Sequence, residues 1–417
     1  MVNHERVKMK DTTNGNQRNK PSCRTALGMG LFLALGLPSS AMASGDGDFW
    51  DFLLVQCTKN EGNPPPELVG MCNDALVGGG GAGAPPSNAA LNTGGLGAQG
   101  RTSIAAAAQQ RKGIRMRLDE LKGGDGSKGG GASADESFGR WSIFASVRYT
   151  DTDRDATTLE TGYDADLDGI TLGGDFRWSD KAVIGLALGY TDTNLDYDRN
   201  AGDLDLRSMD ITLYGNFTPM ANAYIDAYAG YARLEYDTRR RIKIGLISGA
   251  AKGDTDGDQL LAGLAAGYEW SHGPWSMGPE IKLDYVSTDI DGYRERGSTG
   301  LELSYQSQDI DSLTTSMGVR ISYAKAVSWG VILPQARLHY VHERKNDSRS
   351  ISNSLALDPS GVFTNKTDDP DRDYMIANLG VSAVMRYGLQ AFLDYEQLIN
   401  HDFLDSWTLV GGIRKEY

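Results

Sequence analysis

The chain has 417 residues and a formal net charge of −14, which removal of residues 1–43, carrying six Lys/Arg and two Asp/Glu, takes to about −18. That balance disfavours nucleic acid as a partner, and the length allows one large domain or two to three smaller ones. A mean hydropathy of −0.39 suits a soluble chain but does not exclude a membrane barrel, whose lipid-facing and lumen-facing residues alternate and cancel.

A basic stretch ending at Lys20 and Arg24, an apolar run from Thr25 to Leu37, and Ala41-Met42-Ala43 before Ser44 predict a secretory signal over residues 1–43. The basic part is long, so Met9 is an alternative start. The apolar run, about 13 residues, is too short to span a bilayer as a helix. Cys23 precedes that run, which disfavours a lipoprotein anchor.

Residues 44–100 follow as a short Gly/Pro-rich segment. Cys57 and Cys72 are the only cysteines beyond the signal, and in an exported chain they are expected to form one disulfide, two free thiols being the alternative. Closing so short a loop contributes about 3 kcal/mol on the chain-entropy estimate. The surrounding stretch, Phe49 to Val77, holds too few apolar residues for a core, and Pro64-Pro65-Pro66 predicts a stiff turn. From Gly78 to Gly100 the composition predicts a flexible linker.

Residues 101–137 hold one helix and a Gly-rich connector. Thr102 or Ser103 serves as N-cap, the helix covers Ile104 to Leu121, and Gly123-Gly124 stops it. Ile104, Ala107, Ala108, Ile114, Leu118 and Leu121 share one face, and Arg111, Lys112, Arg115 and Arg117 the other. A lone helix of this length is marginal in water and needs a surface to bind.

From residue 138 to 417, period-two alternation recurs about twelve times. Apolar rows such as Ile170-Leu172-Gly174-Phe176-Trp178 and Ile184-Leu186-Leu188-Tyr190 end on aromatic residues, as an interfacial girdle requires. The opposite rows carry Arg148, Asp175, Arg177, Asp210, Asp226, Glu280, Lys282, Asp284, Arg320, Arg337, Asp394 and Arg414. Charges at every second position fit a wet lumen better than a dry sandwich core. Tight links, such as Ser179-Asp180-Lys181, alternate with long polar ones, expected at 151–166, 193–205, 237–258, 287–299 and 342–373. The last strand runs to the C-terminus with Leu409, Gly411, Ile413 and Tyr417 on one side, broken only by Lys415. The expected fold is all-β: a transmembrane antiparallel barrel of about 12 strands, with the preceding α-helix inside the lumen. Eight-stranded barrels fill with side chains and 16-stranded ones stay open, so a helix about 10–12 Å across would largely plug a barrel between them.

Motifs for catalysis are scarce. G-x-S-x-G, H-E-x-x-H and a P-loop are absent, so no enzyme activity, metal or cofactor is expected. His339 with His342-Glu343 has neither zinc-protease spacing and, near a strand's outer end, is assigned a structural or rim role. Asp164-Asp166-Asp168-Gly169 and Asp254-Asp256-Asp258 begin like calcium loops but are read as solvated loop charge. Arg239-Arg240-Arg241 with Lys243 forms a basic cluster assigned to a long loop.

Residues 138–417 resemble the C-terminal translocator barrel of bacterial autotransporters, the type V secretion proteins. The resemblance rests on Gly162 to Leu172 leading into Gly173-Gly174-Asp175-Phe176-Arg177, and on Ile184-Gly185-Leu186-Ala187-Leu188-Gly189-Tyr190. Asp311-Ser312-Leu313 before Gly318-Val319-Arg320, His342-Glu343 and Asp394-Tyr395-Glu396 complete it. It implies an outer-membrane location, a helix threading the barrel, and export of the upstream segment to the cell surface. It also implies a C-terminal assembly signal at Leu409, Gly411, Ile413 and Tyr417, and a monomeric barrel. The partners implied are outer-membrane lipid, the barrel-assembly machinery, periplasmic chaperones and the chain's own N-terminal segment. That segment, residues 44–100, is shorter than a typical passenger and lacks β-helix repeats. The alternative function is a passive channel or structural surface antigen with the helix as plug.

Overall fold

The computed structural model of the protein describes residues 49, 51–57, 69, 72, 91–125 and 140–417 except 245–246. The expected signal over 1–43, the turn expected at 64–66 and most of the two Gly-rich stretches lie outside the described residues.

Alternation in the sequence becomes a wall with two chemistries. In β1 (Trp141–Arg154), Trp141, Ile143 and Val147 are exposed while Ser142, Phe144, Ser146 and Arg148 are buried. The strands that follow are β2 (Tyr163–Ser179), β3 (Ala182–Tyr197), β4 (Gly202–Met220), β5 (Ala223–Ile244), β6 (Ile247–Tyr268), β7 (Trp270–His272), β8 (Trp275–Ile290), β9 (Tyr293–Arg294) and β10 (Leu303–Tyr305). Then come β11 (Gln308–Tyr323), β12 (Lys325–Val327), β13 (Gly330–Lys345), β14 (Ser350–Leu355), β15 (Val362–Lys366), β16 (Asp373–Met385), β17 (Leu389–Ile399) and β18 (Leu404–Glu416).

Antiparallel pairing runs β8-β6-β5-β4-β3-β2-β1-β18-β17-β16-β13-β11, and β11 pairs with β8 to close a barrel of twelve strands. The seam between first and last strands is continuous from Ser142 opposite Glu416 to Arg154 opposite Leu404. The Tyr417 amide then donates to the Trp141 carbonyl at 2.9 Å. Closure leaves no open edge, which a sheet immersed in lipid requires.

Three of the five long loops expected from the sequence are strand. Residues 193–205 are largely β3 and β4, which pair out to Tyr197 opposite Gly202. Residues 237–258 are the far half of the β5–β6 hairpin, paired out to Ile244 opposite Ile247. Residues 151–166 shrink to a loop at 155–162. The remaining two carry β9, β14 and β15, which with β10, just beyond the first of them, form a second, four-stranded sheet at the long-loop end.

The reason these stretches look like loops is that the pleat changes polarity. At lipid depth β3 turns Ile184, Leu186 and Leu188 outward. Farther along, Leu195 is buried and Asp196 is exposed. Likewise Leu204 and Leu206 of β4 are buried while Asp203 is half-buried and Asp205 exposed. Beyond the lipid belt the barrel is apolar inside and acidic outside, the opposite of its membrane band. The acidic runs at Asp164-Asp166-Asp168 and Asp254-Asp256-Asp258 are outward rows of β2 and β6, not solvated loops. Tyrosines mark the change: Tyr149, Tyr231, Tyr285 and Tyr340 donate their hydroxyls to Asp166, Asp258, Asp311 and Asp373, one step above the belt.

A different core lies at the long-loop end. Phe49, Leu53, Cys57, Cys72, Leu91 and Leu96 share one buried cluster with Ile242 and Ile244 of β5, Leu303 and Tyr305 of β10, Ile351 of β14 and Phe363 of β15. Cys57 and Cys72 are disulfide-bonded, with Cα atoms 5.5 Å apart. The described residues of the N-terminal segment thus share their core with the barrel's own strands and loops. Residues 91–96, expected to be flexible linker, are held by hydrogen bonds: Arg240 Nη1 to the Leu91 carbonyl at 2.7 Å, and Tyr197 Oη to the Gly95 carbonyl at 2.9 Å.

Candidate functional site in the barrel lumen

One helix, Ala98–Asp125, occupies the lumen. Its 28 residues span about 42 Å at the α-helical rise, enough to run the depth of the barrel. It starts four residues before the expected N-cap and passes through Gly123-Gly124. Thr102 and Ser103 do not cap: their hydroxyls donate to the Ala98 and Gln99 carbonyls, at 2.9 and 2.6 Å. Tertiary packing outweighs the local stop and start signals.

The helix matches the wall's two polarities. Its first half, with Ala98 and Ala106 buried, packs in the apolar collar of Leu167, Leu195, Leu204, Leu234 and Tyr236. Its second half meets charge. Lys112 Nζ lies 2.7 Å from Glu396 Oε1 and donates to Thr408 at 2.6 Å. Arg115 pairs with Asp284 at 2.5 Å. Arg117, with no exposed side chain, donates to both oxygens of Asp175 at 2.6 and 2.7 Å and to Ser142 at 2.9 Å. Asp119 accepts from Arg320 at 3.2 Å and from Arg337. Both signs of charge on the helix therefore find their complement on different strands.

The inward residues anticipated from alternation take several roles. Asp175, Asp284, Arg320 and Arg337 touch the helix directly. Asp394 holds Arg337 at 2.6 Å, and Glu280 binds Lys282 at 2.5 Å. Arg148 donates to Thr171 at 2.6 Å, Asp226 accepts from Asn216 at 2.7 Å, and Asp210 accepts from Thr212 at 3.0 Å. Arg414 reaches Gln390 at 3.3 Å and also pairs with Glu416. Arg177 is half-buried at the short-turn end, its amide on the Arg140 carbonyl at 2.8 Å. On the helix, Leu118 is buried beside Phe144 and Tyr214, and Arg111 is half-buried. Outward on β18, Ile413 and Tyr417 are exposed, as is Leu409, with Gly411 between them.

Three inward tyrosines were not anticipated. Tyr214, Tyr224 and Tyr228 stand directly opposite Gly185, Gly267 and Gly263 on the neighbouring strand. A Cβ at Gly263 would lie 2.4 Å from the Tyr228 ring, and one at Gly185 2.2 Å from the Tyr214 ring. The glycines let the rings lie flat across the wall. The Tyr214 hydroxyl then reaches Asp175 at 2.9 Å, Tyr224 reaches Glu280 at 2.6 Å, and Tyr228 reaches Asp284. The signal in the sequence was an aromatic placed on the charged row, out of step with the girdle.

Two motifs resolve differently from their expected places. His339 is not at the rim but buried, 3.1 Å from Glu280, whereas His342 points outward to Asp373 at 2.8 Å. Opposite faces of β13 prevent them from sharing a ligand. The basic cluster is likewise split by the pleat of β5: Arg239 and Lys243 are exposed while Arg240 is buried on Glu295 at 2.6 and 3.0 Å. Among the described residues no group of three or more His, Cys, Asp or Glu is placed to hold a metal.

A cavity of about 10 Å³ lies among Arg115, Leu118, Asp119, Asp226, Tyr228 and Lys282, about the room one water needs.

A closed barrel of twelve strands with an apolar outer belt, interfacial aromatics and a charged lumen is a bacterial outer-membrane β-barrel. A family model described as the autotransporter beta-domain matches residues 143–396, and the chain belongs to this family. Esterase EstA of Pseudomonas aeruginosa is 25% identical over 253 residues, covering 59% of this chain and 38% of that protein. Outer membrane protein B of Rickettsia prowazekii is 25% identical over 277 residues, covering 63% of this chain and 17% of that protein. The chain thus matches well under half the length of these relatives. The translocator domain of autotransporter NalP from Neisseria meningitidis superposes with a TM-score of 0.58 at 14% identity, over 76% of this chain and 98% of that one. The beta domain of the Bordetella autotransporter Brka gives 0.52 at 20% identity, over 67% of this chain and all of that domain. These structures share the fold. The protein is an outer-membrane protein with an autotransporter translocator barrel.

Proposed function

We propose that the barrel exports the chain's own N-terminal segment to the cell surface and that the lumen helix is the trailing part of that export. The observation that carries this reading is the course of the chain. Phe49, Leu53, Cys57, Cys72, Leu91 and Leu96 pack at the long-loop end, the helix descends from there, and β1 begins at the short-turn end. In outer-membrane barrels short turns are periplasmic and long loops extracellular. A position among the long loops for residues that precede the helix supports the reading that they cross the membrane, with the lumen as their route.

On this reading the ladder of Lys112, Arg115, Arg117 and Asp119 sets where the chain stops. The wall residues are arranged to receive both signs of charge at fixed heights, so one helix register is favoured over a slipped one. The terminal strand, with Leu409, Gly411, Ile413 and Tyr417 outward, serves as the assembly signal. Catalysis is not part of the proposal: EstA's printed name describes that protein, and this chain lacks a G-x-S-x-G.

The test is an epitope inserted near Asn88. Antibody should reach it on intact cells expressing the full chain. Staining only after the outer membrane is permeabilised would overturn self-export and leave a plugged channel in its place.

A further inference from the structure

We propose that the second sheet, β9-β10-β14-β15, is a receptor for the chain's own N-terminal segment, so that export ends in retention on the barrel and not in release. The inference rests on the export reading for its location, and on separate observations for the docking itself.

The N-terminal segment and the loop sheet have one core between them. Phe49 and Phe52 sit 4.8 and 5.0 Å, centroid to centroid, from Phe363 of β15. Leu53 and the disulfide partners Cys57 and Cys72 are buried in the same cluster as Leu303 and Leu355. A surface this apolar on bare loops would be an exposed patch of the kind that marks an interaction site. The fit is close as well as apolar. A Cβ at Gly361 would lie 2.2 Å from Gln56 Nε2 and 2.9 Å from the Phe52 ring, so the segment rests directly on backbone there.

The loops are also braced from below as a platform. Buried Glu295 accepts from Arg240 at 2.6 and 3.0 Å and from the Tyr305 hydroxyl at 2.8 Å, and Arg240 also holds the Leu301 carbonyl at 2.8 Å. The Glu295, Tyr305 and Leu301 partners lie on the barrel's own strands and loops, and the further contact of Arg240, to the Leu91 carbonyl at 2.7 Å, lies on the barrel side of Asn88. The disulfide ties the helical piece at 51–57 to Cys72, so these two pieces dock as one body. Docking of that body on the far side supplies a reason for the chain to stay across the membrane once it has passed.

The experiment uses the full chain with a site-specific protease sequence placed near Asn88. In detergent-purified protein, the severed N-terminal fragment should co-elute with the barrel on gel filtration. Phe363→Asp, which alters a loop and leaves the barrel strands intact, should raise the dissociated fraction about tenfold or more, the expected scale for losing one buried aromatic anchor. Heat-modifiable migration of that variant reports that its barrel is folded. If Phe363→Asp does not fold, Gly361→Leu tests the same contact. Co-elution lost from the wild-type barrel, or unchanged in folded variants, would overturn the docking. On intact cells the cut fragment should stay in the pellet and leave only from the variants. Cutting that requires permeabilised cells, with co-elution preserved, would overturn the export reading and surface retention while upholding the docking.

Discussion

Arg117 on the lumen helix and Asp175 on β2 form a two-point hydrogen-bonded ion pair, at 2.6 and 2.7 Å, that is wholly enclosed by the barrel. Ser142 and Tyr214 complete the shell around the same carboxylate, at 2.5 and 2.9 Å. The pair joins a residue before the barrel to a residue within it. It therefore reports whether helix and wall act as one folded unit.

Breaking that pair from one side leaves a buried charge, at a cost of about 3–5 kcal/mol. Arg117→Ala or Asp175→Ala should lower the temperature at which the compact band is lost on SDS gels. The double replacement Arg117→Leu/Asp175→Leu should recover much of the loss, because an apolar pair needs no compensation. A double variant as unstable as the sum of the singles would mean that the two residues act independently.

Gly263→Val should force the Tyr228 ring off the wall and detach its hydroxyl from Asp284. Overpacking of this kind costs about 1–3 kcal/mol, read as a fall in the same unfolding temperature. Removing the ring with Tyr228→Ala in the Gly263→Val background should return part of that stability. If the single variant is neutral, the ring does not depend on the glycine opposite.

Glu160, in the loop after β1, carries a pH-dependent clamp on the start of the helix. Burial alone would raise its pKa, but the hydrogen bonds from Arg101 and the charges of Arg101 and Arg154 hold it below the usual carboxylate range. A lowered folded pKa means stability that is present above the unfolded value, about 4.3, and lost as pH falls through the folded one. Glu160→Gln should therefore reduce the unfolding temperature at pH 7, and the gap from wild type should close on acidification below about 4. A gap that stays constant with pH would remove Glu160 as its source.

Tyr417 is exposed at the end of the closing strand, its amide on the Trp141 carbonyl at 2.9 Å. Tyr417→Asp should lower the amount of barrel in the outer membrane, because an interfacial aromatic is replaced by a charge. Unchanged levels in cells that lack the periplasmic protease clearing failed barrels would mean that the terminal strand is not an assembly signal.

The membrane band was legible because lipid and lumen impose opposite demands on alternate residues, as Ile184, Leu186 and Leu188 show beside Gly185 and Ala187. The helix was legible in kind but not in extent, since the wall supplies what Gly123-Gly124 and the early Ala-Gln-Gly stretch lack. Above the belt the same alternation was misread as loop. There Leu204 and Leu206 turn inward and aspartates outward, so acid-rich spacing that looks like coil is strand. The ion partners of Asp119 and the shared core of Phe49 with Phe363 were beyond reach for another reason. Each joins residues some 200 to 300 positions apart, and only the closed barrel brings them together. Period and polarity report local structure; pairing across the lumen needs the topology.

The central claim is that Ala98–Asp125 fills the barrel and is held there by the wall. It is tested most directly by deleting residues 104–121 and measuring conductance in planar bilayers. The account predicts a larger single-channel conductance than that of the intact protein, because a helix about 10–12 Å across has been removed from a twelve-stranded lumen. An unchanged conductance from a correctly folded deletion barrel would contradict it.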